Sequence, residues 1–211
     1  MKIYVLHYTK LEERKPHMIN ELQKQKLTNY EFIEVYDKED LTEADKALFD
    51  PKLKLTAVSL NLKHFHAYRQ IAAEGPALIF EDDVILSDSF AAKLTDYVAE
   101  LPEDYDLLFI GDGCNLHMDP RQITPEKRIY EKTLYPTAWG GNGASRSTDS
   151  YLVSQKCAQK LCEYAERPHK INATIGWWLN EAARHYKLKV YWAEPTIVTQ
   201  GSQNGQFKSM H

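Results

Sequence analysis

The 211-residue chain is short of the features that define several large protein classes. It has no apolar run near the ~20 residues that a membrane-spanning helix needs. It has three cysteines, Cys114, Cys157 and Cys162, an odd number without the C-x-x-C spacing of a metal or redox motif, which suits free thiols in a reducing compartment. Positive charge is not in excess: 26 Lys and Arg against 30 Asp and Glu give a net charge of -4, which argues against a nucleic-acid partner bound through its phosphates. The first residues run from Met1-Lys2 straight into the strand-like Ile3-Tyr4-Val5-Leu6, without the apolar segment and small-residue cleavage site of a secretory signal. A cytoplasmic location is therefore expected, and Asn172-Ala173-Thr174 reads as an incidental glycosylation sequon. The glycine-rich Gly140-Gly141-Asn142-Gly143-Ala144-Ser145 lacks the Lys and following Ser or Thr of a nucleotide P-loop, and is expected to form a mobile rim. There is no internal repeat and no low-complexity linker.

What is present is an alternation of short apolar runs with helix-period segments, the pattern of an α/β domain. Strands are expected near residues 2–7, 31–36, 77–80, 107–110, 150–153 and 188–192. Helices are expected near 16–27, 56–74, 89–101, 154–164 and 174–186. Pro16 sits near the start of the first helix, as a first-turn proline should, and Gly75-Pro76 ends the long second one. One domain over residues 1–211 is expected, as a whole protein or as part of a longer one.

The most telling stretch is Ala77-Leu78-Ile79-Phe80-Glu81-Asp82-Asp83-Val84, a buried-type strand that ends in three carboxylates. Two carboxylates about 6 Å apart repel by roughly 3 kcal/mol at an effective dielectric of about 20, so such a tip gains from a cation. In extended backbone Glu81 and Asp83 point to one side and Asp82 to the other, so the first pair can share one ion. Oxygen ligands suit Mn²⁺ or Mg²⁺ shared with substrate phosphates. A solvated acidic turn is the alternative. On the long helix Ser59, Lys63, His66 and Gln70 fall on one stripe, with His64 at its border. That stripe is either a solvated face or, beside the acidic strand, a place where Lys63 offsets the charge of a diphosphate.

These segments together resemble glycosyltransferase family 25, the group of lipopolysaccharide β-galactosyltransferases and collagen-type glycosyltransferases with relatives in large DNA viruses. Ile3-Tyr4-Val5-Leu6-His7-Tyr8 with Arg14 is similar to its opening strand and arginine, and Ser59-Leu60-Asn61-Leu62-Lys63-His64 to its "L-S-H" helix. Leu78-Ile79-Phe80-Glu81-Asp82-Asp83-Val84 resembles its "L-E-D-D-V", and Thr148-Asp149-Ser150-Tyr151-Leu152-Val153-Ser154 its "A-Y-L-I-S" strand. The late segment from Glu194 through Gln200-Gly201-Ser202 also matches, so the polar run 200–207 is expected at the site rather than as a frayed tail.

The resemblance implies a single GT-A-like (Rossmann-like) domain with a mixed, mostly parallel sheet flanked by helices. The donor side would span about 1–115 and the acceptor side about 116–211. It implies an inverting, metal-dependent transfer from a nucleotide sugar, UDP-linked by expectation, to a hydroxyl of a glycan or glycoprotein. Glu81 and Asp83, a DXD-like pair, would hold Mn²⁺ or Mg²⁺. Donor contacts would come from His7, Tyr8, Thr9, Arg14, Ser59, Lys63, His64, Asp82, Gln200 and Ser202. Viral relatives extend the expected location to a host cytoplasm. Two departures stand out: Lys63 replaces a serine common in relatives, and Gly176 stands where relatives often carry Asp before an aromatic pair, here Trp177-Trp178.

Inversion needs a general base near the acceptor. Asp149, at the start of the 150–153 strand, is the first candidate and Asp112, ending the strand at 107–110, the second. Trp139 and Trp177-Trp178 are candidate sugar platforms. The alternatives are metal-dependent nucleotidyl or phosphoryl transfer and a nucleotide-sugar or glycan-binding module without catalysis.

Overall fold

In the computed structural model, which describes residues 1–138 and 143–208, seven strands form the central sheet. The chain begins β1 (Lys2–Leu6), α1 (Arg14–Lys24), β2 (Tyr30–Ile33), α2 (Glu43–Ala47) and α3 (Leu55–Glu74). It continues with β3 (Ala77–Glu81), β4 (Val84–Leu86), α4 (Phe90–Glu100) and β5 (Leu107–Phe109). After two one-turn 3₁₀ segments come β6 (Ile129–Glu131), β7 (Ser150–Val153), α5 (Gln155–Ala165), α6 (Ile175–Tyr186), β8 (Val190–Ala193) and β9 (Val198–Gln200). The sheet order is β2-β1-β3-β7-β5-β8-β6, with β4 and β9 paired as a separate antiparallel ribbon.

β1 runs parallel to β2 and β3, β7 is antiparallel to both β3 and β5, β5 is parallel to β8, and β6 is antiparallel to β8. Five strands thus share one direction and β7 and β6 oppose them, the mixed, mostly parallel α/β sheet expected. Its two faces carry separate cores. One holds Tyr4, Ile79, Phe109 and Tyr151 against α3, α5 and α6; the other holds Val5, Phe80, Leu108 and Leu152 against α1 and α4. The strands are apolar on both faces because both are covered.

Several local signals act as read. Pro16 lies in the first turn of α1, Ser154 caps α5 by accepting Cys157 N–H at 3.1 Å, and α3 ends at Gly75 with φ 121°. α2, β4, β6 and β9 were not anticipated, being too short to show a period. β2 stops at Ile33 rather than continuing to residue 36, because the Val35 carbonyl turns to accept from Lys63 and Tyr36 takes a positive φ of 65°. The larger correction concerns α3: Ser59, Lys63 and His64 are buried, so this is no solvated stripe, and His66 and Gln70 are half-buried. The expected rim at 140–145 and the candidate platform Trp139 fall largely on 139–142, outside the described residues.

Candidate active site

β3 delivers Glu81 to the sheet's edge, and the chain then turns into β4. Glu81 and Asp83 do lie on one side and Asp82 on the other. Asp82 accepts from Arg14 Nη1 at 2.8 Å and Tyr8 N–H at 3.1 Å, and pairs with His7 Nδ1 at 2.8 Å. Burial raises its pKa, but these bonds outweigh that and hold it below the ordinary carboxylate range.

The ribbon β4–β9 folds the C-terminal segment back over this tip. Gly201 N–H donates to the Asp83 carbonyl at 2.7 Å and Ser202 N–H to Asp83 Oδ2 at 3.2 Å. Phe207 closes on Arg14, whose guanidinium sits 5.3 Å from the ring centroid and donates from Nη2 to the Lys208 carbonyl at 2.8 Å. The 200–207 run is therefore a strap against the acidic tip and not a loose tail. Gln200 is its most informative residue. Its Nε2 lies 3.4 Å from Glu81 Oε2 and 3.4 Å from Asp83 Oδ1, so an electropositive amide group sits where the two carboxylates converge.

That convergence is a direct test of whether the residues fit a divalent ion. They do: two carboxylate oxygens from different residues point at one position, and the donor set is all oxygen. Glu81 is the less compensated of the two, since Arg14 Nη1 lies 3.8 Å from Asp83 Oδ2. Burial, then the charges of Asp83 and Asp149, push the Glu81 carboxyl up to about 8. Among the described residues no three His, Cys, Asp or Glu side chains form a cage able to hold a metal by themselves. Two carboxylates completed by substrate phosphates is the arrangement usual for Mg²⁺-like ions.

Two cavities meet at Glu81. The first is lined by Tyr8, Arg14, Lys38, Ser59, Lys63, Glu81, Asp82 and Asp83, together with Leu60, Gln200 and Ser202. The second shares Leu60, Glu81, Gln200 and Ser202 and adds Cys114, Ser145, Ser147, Thr148, Gly176, Trp177, Asn180 and Gln203. The first mixes three cations with three carboxylates, whereas Glu81 is the sole carboxylate among the described residues lining the second. Trp177 is 53% exposed on that wall, while its neighbour Trp178 is a core residue.

Not every expected residue is where the sequence suggested. Lys63 lies along the first cavity, but its ammonium donates to the His7 carbonyl at 2.8 Å, the Val35 carbonyl at 2.7 Å and Asp37 Oδ1 at 2.7 Å. All three protons are engaged, so it joins β1, β2 and α3 rather than a phosphate. Asp37 in turn accepts Thr9 N–H at 3.1 Å, and Thr9 and His7 line a separate shallow groove against α1. Ser59 donates to the Tyr36 carbonyl at 2.6 Å. His64 is fully buried and lines neither cavity.

Asp149 is also buried, behind the wall. Its Oδ2 accepts from the Ser150 hydroxyl at 2.8 Å. A Cβ on Gly111 or Gly113 would come within 2.1 Å of Oδ2 or 2.6 Å of Oδ1, so these two glycines cover both oxygens. Burial, with Asp83 and Asp112 nearby, pushes its carboxyl up to about 7 despite that bond. Asp112 is half-buried at the end of β5 and lines neither cavity as described. Lys38 and Thr148 were missed as site residues. Lys38 belongs to no motif, and Thr148 was legible only as the residue before Asp149.

An α/β sheet with paired carboxylates beyond one strand end, at the junction of an ionic and a mostly neutral cavity, is an arrangement that fits a sugar transferase. The chain belongs to glycosyltransferase family 25 (LPS biosynthesis protein), whose profile matches residues 1–175. A protein named as glycosyltransferase R655 of Acanthamoeba polyphaga mimivirus is 24% identical over 172 residues, covering 75% of this chain and 51% of that protein. The chain thus spans about half the length of this relative. Among solved structures, one named as a glucose-1-phosphate thymidylyltransferase from Bacillus anthracis aligns over 98% of this chain and 94% of its own, with TM-score 0.51 and 11% identity, a likeness of fold. A glycosyltransferase involved in glycosylation of the major capsid of PBCV-1 aligns over 98% of this chain and 100% of its own, with TM-score 0.42 and 9% identity. No helix among the described residues is long and apolar enough to cross a membrane.

Proposed function

We propose that the chain transfers a sugar from a nucleotide diphosphate donor, a UDP-sugar, to a hydroxyl of a glycan or glycoprotein, with inversion and with Mn²⁺ or Mg²⁺ as cofactor. The observation that carries this reading is the convergence of Glu81 Oε2 and Asp83 Oδ1 on one point, at the seam of two cavities. Glu81 and Asp83 would hold the ion, which would supply charge stabilisation to the departing nucleoside diphosphate.

The chain's own residues divide the remaining work. Arg14 and Asp82 fix the acidic tip, Lys63 and Asp37 fix the strand ends beneath the donor, and the Gln200 amide lies where Glu81 and Asp83 would hold the ion. Tyr8, Lys38 and Ser202 line the donor cavity, and Ser145, Thr148 and Trp177 line the cavity assigned to the acceptor. Of the two candidate bases Asp149 is buried and Asp112 half-buried, and neither lines either cavity, so the less buried Asp112 is the one to which the proton of the acceptor hydroxyl is assigned, with Asp149 as a buried support.

Incubation with UDP-sugars and Mn²⁺ tests the reaction. The expected product is UDP, released with water or an added glycan as acceptor. Release of pyrophosphate would identify nucleotidyl transfer, and binding without any turnover would identify a non-catalytic module.

A further inference from the structure

The buried imidazole of His64 is left without a role by the two cavities, yet its surroundings are specific. It stacks on Tyr151 with ring centroids 5.8 Å apart, and its Nδ1 lies 2.7 Å from the Tyr151 hydroxyl. The Tyr151 hydroxyl is in turn 2.7 Å from the hydroxyl of Tyr68. This chain of three side chains is wholly buried between α3 and β7. At its outer end His64 Nε2 is buried and has no hydrogen-bond partner among the described residues. It lies 4.0 Å from Glu81 Oε1.

A buried polar atom without a partner costs roughly 1–3 kcal/mol, so its direction carries information. Glu81 Oε1 already accepts the Thr148 hydroxyl at 3.0 Å, whereas Oε2 faces Gln200 and the convergence point with Asp83. The two oxygens thus have different neighbours: one looks into the protein, the other towards the position assigned to the ion. If Tyr68 donates to Tyr151 and Tyr151 to Nδ1, the imidazole proton must be on Nε2, aimed at Oε1. Against the ionised, ion-holding form of Glu81 the reverse orientation would set a nitrogen lone pair against the carboxylate. The ring is wholly buried, which favours its neutral, singly protonated form, so a single tautomer is the relevant state.

We propose that His64 is a positioning residue for Glu81: its Nε2–H, fixed in that tautomer by the Tyr68–Tyr151 hydroxyl pair, holds Oε1 inward and leaves Oε2 free for the divalent ion. This rests on the metal reading above. It assigns His64 no contact with donor or acceptor.

The full chain serves for the test. At alkaline pH, where Glu81 is ionised, long-range ¹⁵N–¹H correlation spectra report the imidazole tautomer without any metal, and the Nε2–H form is expected; the Nδ1–H form overturns the proposal. With saturating UDP, calorimetric Mn²⁺ affinity is expected to fall about 10–100-fold in His64→Phe and to return to within about threefold in His64→Gln, whose amide N–H reaches towards Oε1. Equal Mn²⁺ affinity in wild type and His64→Phe overturns this inference alone, and failure of wild type to bind Mn²⁺ with UDP overturns the metal reading as well. Should His64→Phe fail to fold, Tyr151→Phe keeps the ring but loses the hydroxyl that selects the tautomer. A mixture of tautomers with Mn²⁺ binding about fivefold weaker is then expected, and an unchanged tautomer with unchanged affinity refutes it.

Discussion

Replacing Lys63 with methionine separates a structural ion pair from a phosphate ligand. The side chain of Lys63 is 4% exposed and that of Asp37 1%, with 2.7 Å between Nζ and Oδ1. Burial lowers the Lys63 pKa and raises that of Asp37; their mutual attraction, with the Thr9 bonds, nonetheless holds Asp37 below its ordinary value. Removing one partner of such a pair leaves an uncompensated buried charge and costs about 3–5 kcal/mol. Loss of the donor to the His7 and Val35 carbonyls adds to this, by about 1 kcal/mol each. Of a typical total near 10 kcal/mol, that leaves a folded but weakened protein. Urea unfolding at pH 7 should show Lys63→Met losing at least about 3 kcal/mol with little change in slope. Adding Asp37→Asn should recover part of the loss, because the stranded charge is then gone while the amide oxygen still accepts from Thr9. A cost below about 1 kcal/mol, together with lost nucleotide affinity, would refute the argument and return Lys63 to the donor.

Three other perturbations follow from the same geometry. The folded-state pKa of Glu81, near 8, lies above its unfolded value near 4.5, so this group lowers stability progressively as pH rises between those values. Without metal, Glu81→Gln should therefore gain on wild type by about 2 kcal/mol between pH 5 and 8, a figure reduced for the carboxylate's residual exposure; parallel pH profiles in urea would contradict it. Asp112→Asn should abolish transfer with nucleotide binding intact, whereas Asp149→Asn, which copies the protonated form favoured by burial, should retain turnover; the opposite kinetic pattern returns the base role to Asp149. Arg146 is buried and pairs with Glu194 while donating to the Leu116 carbonyl at 2.5 Å and the Ala193 carbonyl at 2.7 Å, so Arg146→Met should cost about 3–5 kcal/mol in chemical denaturation.

Much of the fold was legible because buried strands and amphipathic helices write their periods into the sequence. Six of the seven strands of the central sheet, all but β6, and five of the six α-helices among the described residues were anticipated to within a few residues, and the acidic tip stands where the apolar run of β3 ends. The limits have physical causes. Spacing on α3 identifies a polar stripe but not what covers it; here the ends of β1 and β2 close over Lys63, and Tyr151 of β7 takes up His64. Asp149 read as the first candidate for a base near the acceptor because nothing local reveals that Gly111 and Gly113 pack on its carboxylate from another strand end. The strap was legible through family resemblance alone, since its position depends on the three-residue pairing of β4 with β9.

The central claim is that Glu81 and Asp83 form a metal site shared with the donor diphosphate. Calorimetric titration of UDP into the chain, with and without Mn²⁺, tests it most directly, repeated with Glu81→Ala and Asp83→Ala. The account predicts that Mn²⁺ tightens UDP binding by at least about tenfold in wild type, equivalent to about 1.4 kcal/mol, and does little in either variant. UDP affinity independent of Mn²⁺ in all three proteins would contradict it.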